Sequence, residues 1–152
     1  MNSKLKILID EGGLVIEKSI GWDQINKYLT RALKDLETAQ KLIKVDEAVA
    51  MDLVYKALFH ASNALIRANG VRPGKIRQHK AVVRAASIFL GKKANKYILR
   101  YEKLRIKRNE FEYGAVFRSS QSEINNGIKD TRKYIQMIKS FLLQKNPQKH
   151  LL

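Results

Sequence analysis

The chain contains no cysteine, which excludes disulfides and thiolate metal sites. Three scattered histidines argue against a zinc site built from imidazoles. No apolar run reaches the roughly 20 residues of a membrane-crossing helix. No signal peptide is expected ahead of the fold, and the expected compartment is the cytoplasm. Glycine-rich phosphate loops, nucleophile elbows and the helical histidine pair of zinc proteases are also missing. No metal or organic cofactor is expected. Proline occurs only twice in 152 residues, and strand-type alternation is not evident. Acidic residues are scarce too, with 14 Asp and Glu against 30 Lys and Arg, a formal net charge of +16.

The excess charge is clustered. Between Arg67 and Lys107 stand six Arg and seven Lys against one acid, Glu102. Such a cluster suits a polyanionic partner: nucleic acid, a nucleotide or an acidic protein. Its alternative is a solvated lysine-rich surface.

Helical periodicity accounts for most of the rest. The expectation is an all-α, antiparallel bundle of about five helices. It divides into an N-terminal arm (1–21), the bundle (22–143) and a polar tail (144–152). In the arm, Lys4–Glu11 reads as a short helix capped by Ser3, and Leu14–Ile20 as extended or a second short helix. Asp23–Lys44 is predicted as a helix with Asp23 as its cap, Leu29, Leu33, Leu36 and Ile43 inward, and Asp35 on the polar face. Glu47–Asn69, capped by Asp46, is apolar nearly all round and therefore central. Its polar remainder, Lys56, His60, Asn63 and Arg67, forms a single line. Gly70–Gln78 reads as the main mobile, ligand-facing loop, carrying Lys75 and Arg77, and His79–Leu90 as a shorter helix that begins with His79 and Lys80. The last helix, capped by Ser120 or Ser122, buries Ile124, Ile128, Thr131, Ile135, Ile138 and Leu142.

The segment Tyr97–Gly114, YILRYEKLRIKRNEFEYG, carries the least ordinary feature. Its apolar stripe is Tyr97, Tyr101, Leu104 and Phe111, and Arg108 falls in the middle of it. Arg105 and Glu112 flank the stripe, and Asn109 sits at the polar edge. A guanidinium placed there either is buried with a partner, for which Glu112 is the candidate, or serves an anion in a cleft.

Three stretches in order, Tyr55–Pro73 (YKALFHASNALIRANGVRP), His79–Ala86 (HKAVVRAA) and Leu104–Gly114 (LRIKRNEFEYG), together resemble the HEPN superfamily of helical bundles over roughly residues 25–142. The family motif is an arginine, a polar residue and, after a short gap, a histidine. Arg108-Asn109 matches its first part, and Tyr113 stands in the histidine slot. The resemblance implies a homodimer with both motif helices at one cleft. It implies either a toxin-like, metal-independent ribonuclease using Arg108, Asn109 and Tyr113, or a non-catalytic subunit that binds RNA, a nucleotide or a partner. A nucleotidyltransferase-type antitoxin is the expected partner. Candidate binding residues are Arg105, Glu112, His60, Lys75, Arg77, His79 and Lys80. In RNA cleavage the ribose 2′-OH attacks the neighbouring phosphate, and a fixed guanidinium can hold the charge that builds there. Tyrosine, with an ordinary pKa near 10, is a poor general base for that step.

Overall fold

A computed structural model describes the backbone of residues 1–113 and 119–145 and the side chains of 1–109 and 119–145. The arm holds helix α1 (Ser3–Asp10) and strand β1 (Leu14–Ile16). The bundle consists of α2 (Trp22–Leu42), α3 (Glu47–Ala68), α4 (Gln78–Leu90), α5 (Asn95–Tyr113) and α6 (Gln121–Lys145). Between α3 and α4 lies a second strand, β2 (Val71–Pro73), and a 3-10 turn at Lys92–Ala94 leads into α5.

Helix α3 packs against the four other bundle helices. Its alanines 50, 57, 61 and 64 are completely buried, and such small side chains let neighbours approach closely. Asp46 caps it by accepting from the Val49 amide. Helix α2 runs antiparallel to α3, as shown by the Asp35–His60 bond and by Arg67 over Tyr28. Helix α6 runs parallel to α3: Ser62 bonds Tyr134 at 2.6 Å, and Gly127 faces Val54. Ser120 caps α6 through the Glu123 amide, and every position expected to face inward on that helix is buried.

The structure corrects several local readings. Asn2, not Ser3, caps α1; its Oδ1 accepts from the amides of Lys4 and Leu5. Gly21 rather than Asp23 precedes α2, and Asp23 lies in its first turn. Residues Leu14–Ile16 take the extended alternative and pair antiparallel with Val71–Pro73, in the register Val15 to Arg72. The first part of the expected mobile loop is therefore a strand. Glu17 reinforces the pairing through Arg67 and Arg72. Beneath this ribbon a second, smaller core gathers Leu5, Leu8, Leu14, Ile66, Val71 and Val82. Asp35 is buried rather than on the polar face, because Arg31 and His60 both hold its carboxylate. Helix α6 continues to Lys145, into the expected tail. The Gly114 stop and residues 146–152 lie outside the described residues.

Candidate functional site

The site grows from the tyrosines that fix α5. Tyr101 is fully buried between Tyr55 of α3, 5.8 Å away by ring centroid, and Tyr134 of α6, 6.3 Å away. With Tyr101 anchored, the following turns carry Arg105 and Arg108 along α3 toward α4. Glu102 and Arg105 form a two-bond fork, Nε to Oε2 at 2.9 Å and Nη2 to Oε1 at 2.7 Å. Those bonds hold the Glu102 carboxyl below its usual range against the opposing effect of burial. They likewise raise the Arg105 guanidinium.

Arg108 reaches α3. Its Nε donates to Asp52 Oδ1 at 3.2 Å, and its guanidinium lies over the Tyr55 ring at 5.0 Å. Lys56 holds the other oxygen of Asp52 at 3.0 Å. Arg108 is 19% exposed, half sunk beside an aromatic face where its charge is weakly hydrated. Tyr55 in turn links Arg108 to α4: its hydroxyl shares a 2.8 Å hydrogen bond with His79 Nδ1. Burial pushes the Tyr55 phenol well above its usual range despite the opposing field of Arg108 and Arg105, so it stays protonated. Phe59 packs on the His79 ring at 4.7 Å and holds it at the edge of the bundle.

Outside this buried row opens a cleft of about 520 Å3, lined by Lys75, Arg77, Gln78, His79 and Lys80 from the α4 approach and by Arg105 and Asn109 from α5. Arg77 makes the turn into α4 with left-handed backbone angles, φ 49° and ψ 41°. The helix has no side-chain cap there, so its first amides add positive potential to the cleft. Six of the sequence-predicted site residues therefore meet: Lys75, Arg77, His79, Lys80, Arg105 and Asn109. Arg108 stands behind them, joined through Tyr55. His60 does not line this cleft; it faces α2, bonded to Asp35. The side chains of Glu112 and Tyr113 lie outside the described residues, so the described partner of Arg108 is Asp52 on another helix.

Asp52 and Tyr55 were not singled out by sequence reasoning. Tyr55 reads as apolar filler on a helix greasy nearly all round. Nothing in the sequence sets Asp52 apart. Only the packing of α5 across α3 gives them their roles.

Replacing Arg108 by alanine removes a half-buried ion pair and a cation–π contact but leaves Asp52 with Lys56. The expected loss is about 1–2 kcal/mol, a fall of several degrees in melting temperature by calorimetry. Arg108→Lys is expected to recover only part of it.

Among the described residues, no group of three or more His, Asp or Glu could hold a metal ion, and no helix is long and apolar enough to cross a membrane. The protein is thus an all-α bundle with a cationic cleft at the junction of α4 and α5. The family model of the HEPN domain matches residues 25–141, and the chain belongs to that family. No curated protein matches it.

Proposed function

We propose that the α4–α5 cleft binds the phosphate groups of RNA or of a nucleotide. One observation carries this reading: two separate segments bring Lys75, Arg77, His79, Lys80, Arg105 and Asn109 around a single cavity. Side chains from a loop and a distant helix converge there on one sign of charge, the arrangement a polyanion requires.

A ribonuclease reading is favoured by the position of His79. Histidine is the usual group for proton transfer near neutral pH. His79 lies one tyrosine away from Arg108 and on the same cleft as Asn109. In this reading a base removes the 2′-OH proton and the oxygen attacks the adjacent phosphate. Asn109 and the guanidinium row carry the charge that develops, and the base returns the proton it has taken to the departing 5′-oxygen. His79 takes the proton-transfer role, with Tyr113 as the alternative given by the family motif.

Total RNA incubated with the purified protein in EDTA tests both readings. Retention without cleavage is expected from a binding protein, and fragments that disappear in His79→Ala and Asn109→Ala are expected from a nuclease. An RNA that is neither retained nor cut by the wild type would overturn both.

A homodimer completes the proposal. Leu99 and Ile106 lie two turns apart on α5, 58% and 48% exposed, and offer apolar surface for a second copy. Light scattering at about 50 μM is expected to give twice the chain mass; a monomer at that concentration would defeat this part. A toxin-like role and a nucleotidyltransferase-type antitoxin are what the family suggests for this chain, and a cytoplasmic setting stays the expectation drawn from the sequence.

A further inference from the structure

His60 belongs to a different surface. On the α2–α3 face a cleft of about 420 Å3 is lined by Gln24, Lys27, Tyr28, Arg31 and His60. Behind it sits Asp35, whose side chain is 2% exposed. One carboxylate oxygen takes two bonds from Arg31, from Nε at 3.0 Å and Nη2 at 2.6 Å. The other faces His60 Nδ1 at 2.9 Å. A carboxylate only accepts, so Nδ1 carries the proton of that bond. Nε2 therefore lies on the other edge of the ring from Asp35, and His60, 30% exposed, lines the cleft. Lys27 lies one helical turn before Arg31 on the same face of α2. Arg67 lies over the Tyr28 ring at 5.2 Å.

We propose that this cleft is a second phosphate-binding site, taking the phosphate of a nucleotide or of a nucleic-acid strand between Lys27, Arg31 and the Nε2 edge of His60. The Asp35 carboxylate is held by Arg31 and His60, and the Arg31 charge offsets its repulsion of an incoming anion. With Nδ1–H held by Asp35, the opposite ring nitrogen Nε2 is left to meet the ligand, and Arg31 keeps guanidinium donors beyond the two it spends on Asp35. Lys27 and the Gln24 amide complete a rim of donors. A clamp between α2 and α3 would need only Asp35 and His60; it gives no reason for Lys27 and Gln24 to border the same cavity.

Ring-nitrogen NMR of the full chain tests this, because His60 and His79 report the two clefts separately in the same spectra. The probes are inorganic phosphate, adenosine monophosphate and a short single-stranded oligoribonucleotide. The His60 Nε2 signal is expected to move saturably with at least one of them, and Lys27→Glu is expected to weaken that response roughly tenfold or more. A response to all three identifies phosphate alone as the ligand. One confined to the nucleotide or to the strand identifies which of these supplies it. A His60 signal unmoved by every probe, or one that moves equally in Lys27→Glu, would overturn the proposal and leave Asp35–His60 as an interhelical clamp. Movement of His79 alone would support the α4–α5 cleft and refute this one.

Discussion

Changing Lys75, Arg77 and Lys80 together to glutamate is expected to weaken RNA binding by roughly a thousandfold near 0.1 M salt. All three border the same cleft, and none makes an ion pair among the described residues, so the fold loses little. Each phosphate neutralised by a cation releases condensed counterions, worth about 0.7 of a decade per contact on a single strand for each tenfold dilution of salt. Three lost contacts account for about two decades, and repulsion from three new carboxylates adds the rest. The loss is expected to be similar for unrelated RNA sequences, because backbone contacts carry no base information. Filter binding across roughly 50–300 mM salt measures it. An affinity flat over that range would reduce the basic cluster to a solvated surface.

Gly74→Ala is expected to have the largest effect on stability. Gly74 crosses the glycine pair that follows α1, with its amide donating to Gly13 O at 2.8 Å. A β-carbon at this position would lie 2.2 Å from the Gly12 carbonyl oxygen and about 3 Å from two backbone carbons. None of those atoms can rotate away, as a side chain could. The ribbon between β1 and β2 must separate, and the small core of Leu5, Leu8, Leu14 and Val71 opens to water. The expected loss is roughly 3 kcal/mol, within the range of severe point substitutions. It is read as an earlier urea midpoint, with a smaller slope if the arm detaches before the bundle. Gly21→Ala is the control: a β-carbon there meets nothing within 4 Å, and the change at a helix cap costs at most about 1 kcal/mol. Equal stability of Gly74→Ala and wild type would show that the arm does not pack as described.

What could be read in the sequence follows the range of each signal. The inward faces of α2 and α6 recur over several turns, and Asp46 and Ser120 cap helices by bonds spanning three residues, so local pattern suffices for them. The pairing of Leu14–Ile16 with Val71–Pro73 could not be read, because three-residue strands carry no usable alternation and their partners are separated by two long helices. Asp35 failed for a different reason. A carboxylate at the margin of a helical stripe looks solvated until a histidine from the next helix is placed against it. The cationic residues of the α4–α5 cleft were visible as a cluster, as was Arg108 as an anomaly. The tie between them runs through the Tyr55 hydroxyl, and a tyrosine on an apolar helix does not announce what its oxygen will bond.

The pairing of β1 with β2 also orders the events of folding. It closes a chain loop whose contents are the whole of α2 and α3, and the entropic cost of that closure is smaller once the two helices have become a compact hairpin. The arm is therefore expected to dock onto a finished α2–α3 unit rather than help to nucleate it. Gly74 lies at the end of that ribbon and Lys75 and Arg77 just beyond it, so the cationic cleft is expected to take its final shape in the same step. Amides bonded across the ribbon, such as Glu17 to Gly70 O, should then exchange with solvent at a lower opening free energy than those of α3.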